Sequence, residues 1–420
     1  MIRKQKPKLL VVTSTFPRWK EDTDPPFVYE LSRRLTKKFD VIVHTPHYPG
    51  ALRKENLENI SVYRFRYFWT RYEKLAGSTG ILPTLKSNRL YYGLVPFFLF
   101  AQFFSLLKLV IKNKPDVIHA HWIIPQGFVA VLVKLITGVP VVATAHGADI
   151  FGLSGAGFNL VKRFTLKKIN TGTVVSQALV DAVSESICID KKLDIIPMGV
   201  DSQVFTSERK DLSLLKRYNI NGPVLLFVGR LTEKKGVKHL IDAMPDVLKY
   251  EPDARLLIVG SGELENKLRR QTESIGLKDK IHFVGAVSNG EIAKYYATAD
   301  IFIGPSIKDK NGDTEGFGLT FVEAAMSGCL VIASDIGGVG DIVIDNETGF
   351  LVVAGNSKKL SEKIIFVLKN NNNFQEIAKK AREFCVENYE WKVIVTKYDK
   401  IFLKNIKCFM HCNKKRGFFN

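Results

Sequence analysis

Short runs of valine, isoleucine and leucine recur along most of the chain, and stretches with helical periodicity separate them. Examples of these runs are KLLVV, DVIVH, PVVATA, VLLFV and ARLLIV. They lack the alternation of apolar and polar residues, which indicates strands buried on both faces and therefore parallel sheets covered by helices. Because strands and helices alternate, the sequence predicts an α/β protein with doubly wound, Rossmann-like sheets.

The alternation pauses once, and a chain of 420 residues is too long for one typical core. The charged stretch TSERKDLSLLKRYNINGP interrupts it, and a fresh strand begins at Val224. We therefore predict domains over 1–200 and 201–388, a crossover helix over 389–405 that packs back on the first domain, and a basic tail over 406–420 to which no structure is assigned. Ligands in such sheets bind beyond the carboxyl ends of the strands, so we expect the two domains to face each other across one cleft.

The charge balance favours an anionic partner. Lys and Arg number 61 against 42 Asp and Glu, which gives a net charge of +19. Nucleic acid, phosphorylated small molecules and an acidic membrane surface all fit this charge. The five cysteines form no disulfide framework, which favours a reducing compartment. Cys408, His411 and Cys412 cluster in the tail, but structural zinc needs four ligands at set spacings, so we expect no metal there.

The stretch LYYGLVPFFLFAQFFSLL, residues 90–107, carries no charge and is long enough for a membrane span. A span would separate strands that look like parts of one sheet, so we interpret the stretch as a buried or interfacial helix. Basic and aromatic residues are interleaved just before it in VYRFRYFWTRYEK. This surface suits anionic lipid; single-stranded nucleic acid or a merely solvated basic face are the alternatives.

The segment DTEGFGLTFVEAA places two glycines before a predicted helix, with Glu315 and Glu323 on either side. The first N–H groups of a helix lack intrahelical partners and favour an anion, phosphate above all. The glutamates would repel phosphate but would accept hydrogen bonds from the hydroxyls of sugar and ribose. The alternative is a glycine turn with an unrelated surface glutamate and a helix glutamate.

Further candidates follow other predicted strands. In GRLTEKKG, Arg230 and Lys235 stand at a strand end where they could offset a diphosphate, although a solvated basic turn is the alternative. His146 closes the strand of VVATAHG, and DVIHAHW contributes His119 and His121. Metal ligation by these histidines is possible, but packed strand-end residues are the more common case. The glycine turns VGSGE and GGVGD are weak signals alone.

Taken in order, these segments resemble a known family. EGFGLTFVEA is similar to the E-x7-E signature of retaining GT-B glycosyltransferases of family four, also described as glycosyl transferases group 1. GRLTEKKG resembles the diphosphate-binding turn of that family, and PDVIHAHW, TAHGAD, IPMGVD and WKVIVTKYDKIF resemble further segments in the expected order. The turn GGVGD departs from the sequence Gly-Gly-x-Pro-Glu, which is commoner in that family. The resemblance covers nearly the whole chain.

The resemblance implies a UDP-sugar or GDP-sugar donor held mainly by the second domain, with no metal or other cofactor. Arg230 and Lys235 would neutralise the diphosphate, and Glu323 would accept from the ribose hydroxyls. The implied donor-binding residues are Arg230, Lys235, Glu315, Phe317, Gly318, Leu319 and Glu323. The implied catalytic residues are Glu315, His146, Arg230 and Lys235, with His146 reaching the sugar from the first domain.

The implied activity is a retaining hexosyltransferase that modifies a lipid-linked saccharide or glycan, in cell-surface polysaccharide synthesis. The departing diphosphate would help to take the acceptor proton, so no pair of carboxylates of the glycosidase kind is assigned. We expect a cytoplasmic protein with peripheral contact to the anionic inner face of the plasma membrane and no nucleic-acid partner. The alternatives are another GT-B nucleotide-sugar enzyme, such as an epimerase, and a basic nucleic-acid-binding protein, which would leave Glu315 and Glu323 unexplained.

Overall fold

The computed structural model describes residues 6–19, 22, 27–76, 80–189, 191–370 and 374–415. By contacts the chain divides into two units, Met1–Pro197 with Ile394–Asn420, and Met198–Val393. Each unit contains a sheet of buried, mostly parallel strands between helices, so the predicted doubly wound α/β architecture is confirmed.

The sheet of the first unit has eight strands. Their bounds are β1 (Lys8–Val12), β2 (Asp40–Pro46), β3 (Lys54–Leu57), β4 (Ile60–Phe65), β5 (Val117–His121), β6 (Val141–Ala145), β7 (Thr171–Val174) and β8 (Leu193–Ile195). Their spatial order is β3-β4-β2-β1-β5-β6-β7-β8, and all neighbours are parallel except β3 and β4. The accompanying helices are α1 (Phe27–Leu35), α2 (Ile81–Ser87), α3 (Val95–Asn113), α4 (Phe128–Thr137), α5 (Ala156–Lys168) and α6 (Gln177–Ile187).

The sheet of the second unit has six parallel strands, β9 (Val224–Val228), β10 (Arg255–Val259), β11 (Ile281–Gly285), β12 (Ile301–Gly304), β13 (Leu330–Ser334) and β14 (Phe350–Val352). Their order is β11-β10-β9-β12-β13-β14. The helices are α7 (Leu212–Arg217), α8 (Val237–Tyr250), α9 (Glu265–Ser274), α10 (Asn289–Thr298), α11 (Leu319–Met326), α12 (Ser357–Lys369) and α13 (Gln375–Tyr389). The chain moves outward from β9 in one direction and from β12 in the other, so the switch point of this sheet lies between these two strands.

The last helix, α14 (Trp391–Lys415), returns to the first unit as predicted. The Tyr398 hydroxyl lies 3.1 Å from Oγ1 of Thr144, and the Phe402 ring packs 5.8 Å from that of Phe39. The predicted end of this helix at 405 is wrong, because the helix includes most of the segment that was assigned to the tail. Ile406 is buried and extends the apolar stripe of the helix, which continues to Lys415. Residues 416–420 of the predicted tail lie outside the described part of the chain.

The uncharged stretch 90–107 forms most of α3 and the short helical turn before it. Among the described residues, Arg89–Asn113 is the helical segment long and apolar enough to span a membrane, and 28% of its most apolar part is buried. One face of α3 packs inward through Phe98, Leu106 and Val110. Since α3 joins β4 to β5 of one sheet, it belongs to the helical layer of the first unit, with its other face exposed.

Candidate functional site

Two loops meet at the switch point of the second sheet. One follows β9 and runs to Gly236; the other follows β12 and begins at Pro305. The Ile307 N–H donates to the Lys234 carbonyl across 2.8 Å. Gly236 has φ +64°, and a Cβ at this position would lie 1.9 Å from the Pro305 oxygen. Only glycine therefore lets the two backbones approach this closely, which brings the basic turn against the segment that carries Glu315.

An ion pair joins the two loops. Nζ of Lys235 lies 2.5 Å from Oε2 of Glu315, and the Ser306 hydroxyl is 3.5 Å from the same oxygen. Burial of Glu315 acts to raise the pKa of its carboxyl, but the ammonium groups of Lys235 and Lys234 together outweigh burial and hold this pKa below its usual range. Glu315 is consequently an anion at neutral pH, able to accept hydrogen bonds but unsuited to acting as an acid.

A second ion pair lies beside the first. Nζ of Lys234 is 3.2 Å from the Asp313 carboxylate and donates to the Thr314 carbonyl at 3.3 Å. Arg230 is exposed at the carboxyl end of β9, in the same loop as the two lysines. The structure thus brings Lys235 and Glu315 into direct contact and places Arg230 on the same loop; the roles assigned to the three residues stay predictions.

Helix α11 begins directly after this segment. Gly318 precedes it with φ +91°, and Leu319 is its first residue. Phe317 is buried, with its ring 5.3 Å from that of Tyr389, so its contribution to a ligand would come from its backbone. The amides at the start of the helix carry partial positive charge and suit a phosphate oxygen.

The GGVGD turn supports Glu315 from a third loop, the one after β13. The Gly338 N–H donates to the Glu315 carbonyl at 3.0 Å. A Cβ on Gly337, which has φ +58°, would lie only 2.2 Å from that carbonyl oxygen. In the sequence this turn is only a weak signal. Its function is structural, because it fixes the backbone that presents Glu315.

Glu323 has a different environment from Glu315. The Tyr296 hydroxyl donates to its Oε2 at 2.8 Å. Burial raises the pKa of Glu323 to about 7, and the hydrogen bond from Tyr296 and the charge of Lys235 offset only part of this effect. Tyr296, on α10, is fully buried and was missed by sequence analysis, because nothing in KYYATAD marks one tyrosine as the partner of a glutamate in another helix.

His146 lies at the carboxyl edge of the first sheet, just after β6. Its Nε2 is 3.0 Å from Nδ1 of His121, and Nε2 of His119 is 2.8 Å from Oγ1 of Thr144. Burial lowers the pKa of His119 and of His146 to about 3 and that of His121 well below its usual value, so all three imidazoles are neutral. Within the described ranges, no group of three His, Cys, Asp or Glu side chains is arranged to hold a metal.

Two family models match the chain. The one described as Glycosyltransferase Family 4 matches residues 26–204, and the one described as Glycosyl transferases group 1 matches residues 215–384. Among curated proteins, the chain is 31% identical over 288 residues to phosphatidyl-myo-inositol mannosyltransferase of Mycobacterium leprae, covering 68% of this chain and 73% of the relative. It is 27% identical over 297 residues to N-acetyl-alpha-D-glucosaminyl L-malate synthase of Bacillus anthracis, covering 69% and 75%.

Solved structures share the fold. Sucrose-phosphate synthase from Thermosynechococcus elongatus matches with a TM-score of 0.78 at 20% identity, and the match covers 96% of this chain and 100% of the synthase chain. Anabaena HepE, solved in complex with UDP, matches with a TM-score of 0.72 at 18% identity, covering 94% and 100%. At such identities the likeness concerns the fold alone, and it confirms the predicted GT-B architecture.

Proposed function

The chain belongs to the glycosyl transferases group 1 family of glycosyltransferases, and on this premise we propose that it moves a hexose from a nucleoside-diphosphate sugar to a lipid-linked saccharide or glycan, with retention of anomeric configuration. A role in cell-surface polysaccharide synthesis is part of this proposal. The observation that carries it is the Lys235–Glu315 pair at the switch point, where α/β sheets of this kind bind their ligands.

A diphosphate that binds at this edge gives both members of the ion pair new partners. Its negative oxygens attract the Lys235 ammonium, the Arg230 guanidinium and the first amides of α11. Lys235 then shares its charge with the diphosphate, and the Glu315 carboxylate accepts from hydroxyls of the donor sugar. Glu323, held by Tyr296, lies on α11 and is our candidate for the ribose hydroxyls.

The transfer breaks the bond between the anomeric carbon and the diphosphate oxygen and forms a bond to the acceptor oxygen on the same face. The acceptor proton passes to an oxygen of the departing diphosphate. Glu315 cannot supply a proton, because its pKa lies below the usual range. Catalysis then consists of stabilising the charge of the leaving group with Lys235, Arg230 and the helix amides, which supply the positive charge without a metal.

An apolar patch on the first unit supports peripheral contact with a membrane. Phe97, Phe100 and Phe104 lie on the outward face of α3 and are 53%, 67% and 61% exposed. Phe68 bridges this face to the neighbouring loop: its ring is 5.2 Å from that of Phe97 and 4.7 Å from that of Trp69, which is 69% exposed. We call these exposed residues, Trp69, Phe97, Phe100 and Phe104, the aromatic patch.

Charge and local rigidity fit the same interpretation. Lys108, Lys112 and Lys114 are exposed on or directly after α3, as expected for a surface that meets anionic headgroups. The loop that carries Trp69 is fixed by Glu73, which is fully buried and accepts from the Tyr67 N–H at 2.9 Å. We therefore propose that the enzyme works at the cytoplasmic face of an anionic membrane, where lipid-linked acceptors are within reach. Relatives named as phosphatidylinositol mannosyltransferases are consistent with an acceptor of this kind.

Titration with UDP and with GDP tests the donor site. A structural neighbour was solved in complex with UDP, and a relative in sequence is described as GDP-mannose-dependent, so both nucleotides are tested. We expect saturable binding of at least one, weakened about 10- to 150-fold by Lys235→Ala and by Arg230→Ala, which is the loss of one charge-assisted hydrogen bond of roughly 1.5–3 kcal/mol. Lys238→Ala, which removes an exposed lysine of α8 in the following turn, is the matched control and leaves affinity unchanged.

Two results would contradict the proposal. Binding of an oligonucleotide with a steep salt dependence, without binding of either nucleotide, would favour the nucleic-acid alternative. Release of an altered free sugar or of an epimerised nucleotide sugar, without transfer to any acceptor, would favour an epimerase of the same fold.

A further inference from the structure

The imidazoles of His121 and His146 form a hydrogen-bonded pair at the carboxyl edge of the first sheet. His121 is the last residue of β5, and His146 follows β6, the adjacent parallel strand. Nδ1 of His121 and Nε2 of His146 are 3.0 Å apart, and the two ring planes differ by 19°. Because both rings are neutral, the two nitrogens share a single proton, and one ring must donate it to the other.

The surroundings of His121 decide which ring donates. Its second nitrogen, Nε2, is buried and has no hydrogen-bond partner among the described residues. A proton on Nε2 would therefore be an orphaned buried N–H, which proteins avoid more strongly than an acceptor without a donor. The proton of His121 belongs on Nδ1, where it is donated to His146. His146 accepts at Nε2 and consequently keeps its own proton on Nδ1.

The orientation of the His146 ring is also restricted. The rings of Trp122 and Phe27 lie 4.9 Å and 5.1 Å from it. Its backbone N–H donates to the Asp149 carboxylate at 3.1 Å, and Asp149 also accepts from Ile123 in the loop after β5 at 2.7 Å. The loops after β5 and β6 are thereby tied together around the imidazole pair, which fixes the direction of the Nδ1–H bond.

We propose that His121 is a positioning residue that holds His146 in the tautomer with an N–H donor at Nδ1, where it can orient an oxygen of a bound substrate. The part that concerns the substrate rests on the proposed function; the tautomer does not. A neutral donor of this kind can orient a hydroxyl without bringing a positive charge to it.

Nuclear magnetic resonance of protein with 15N-labelled histidine tests the tautomer without any substrate. Long-range proton–nitrogen correlations distinguish a protonated ring nitrogen from an unprotonated one. In the wild type we expect the proton of His146 on Nδ1. A proton on Nε2 of His146 overturns the proposal, whether or not the variants fold.

Two variants then test the effect on transfer, measured as nucleoside diphosphate released from UDP-glucose or GDP-mannose. His121→Leu removes the donor, whereas His121→Asn keeps an N–H near the position of Nδ1. We expect His121→Leu to lower kcat about tenfold, with UDP or GDP affinity unchanged, and His121→Asn to restore most of that loss. Equal losses in both variants, an unchanged kcat in His121→Leu, or a loss confined to nucleotide affinity would overturn the positioning role. A wild type that releases no nucleoside diphosphate would instead refute the proposed function, and the spectrum would still decide the tautomer.

Discussion

The two units present opposite chemistry at the same place in the fold. At the carboxyl edge of the second sheet, Lys235 and Glu315 form an ion pair. At the carboxyl edge of the first sheet, His121 and His146 are neutral and share one proton. Parallel sheets bring the ends of neighbouring strands together in both cases, so the fold supplies the location and the loop residues supply the chemistry.

The two sites differ in whether neighbouring charges offset the cost of burying a charged side chain. Glu315 is buried, yet two ammonium groups outweigh the cost and keep it charged. Burial lowers the pKa of His121, and the neighbouring imidazoles of His119 and His146 lower it further, so burial is not compensated and the charged form is disfavoured. The edge of the second sheet therefore presents charged groups, which suit an anionic ligand that also carries hydroxyls. The edge of the first sheet presents neutral imidazoles as hydrogen-bonding groups.

Of the substitutions considered, Glu315→Gln should have the largest effect, because it removes the charge pair from the edge of the second sheet. The substitution removes the anionic acceptor and leaves Lys235 without its partner, and we expect kcat for nucleoside diphosphate release to fall about 10²- to 10³-fold. Asp313→Asn is the control, because it removes a carboxylate that pairs with Lys234 in the same segment, and its effect should be much smaller. Circular dichroism checks that both variants are folded. Full activity in Glu315→Gln, or an equal loss in Asp313→Asn, would remove Glu315 from the mechanism.

The aromatic patch lies on the first unit, and Phe100→Ser compares it with an exposed apolar residue of the second unit. Burial of one phenylalanine side chain contributes roughly 1.5–3 kcal/mol, so partitioning onto vesicles rich in phosphatidylserine should weaken about tenfold or more. Leu212→Ser, at a residue of α7 that is 60% exposed in the second unit, should leave vesicle binding unchanged. Co-sedimentation gives the measurement. If both substitutions have the same effect, or if neither has one, the aromatic patch is not the membrane contact.

The parts of the fold that could be predicted are those encoded locally. Unbroken apolar runs such as VLLFV identified buried parallel strands, and strand ends then indicated Arg230, His146 and Lys235 as candidates. The order β11-β10-β9-β12 depends on pairing between distant segments, which local patterns do not encode. Two contacts that support the site were not predicted for the same reason: Tyr296 reaches Glu323 from another helix, and the GGVGD turn reaches the Glu315 carbonyl from another loop.

Glu323 tests whether uncompensated burial also operates at the charged edge of the second sheet. Its pKa is raised from 4.5 to about 7, mainly by burial, so the folded protein holds this proton more tightly than the unfolded chain does. The stabilisation that this proton provides is complete below about pH 4.5 and is lost as pH rises through 7.

In Glu323→Gln the side chain is neutral at every pH, so the difference between its free energy of unfolding and that of the wild type should increase from pH 4.5 to 7 and then level off. The slope of this increase is at most about 1.4 kcal/mol per pH unit. Urea unfolding at several pH values measures it. Glu362→Gln is the control: a hydrogen bond from Lys359 lowers the pKa of Glu362, which is exposed on α12, so its difference from the wild type should be flat between pH 5 and 8. If the difference for Glu323→Gln is also independent of pH, Glu323 is ionised throughout this range. The cations of the second unit would then offset the cost of burial for both Glu315 and Glu323.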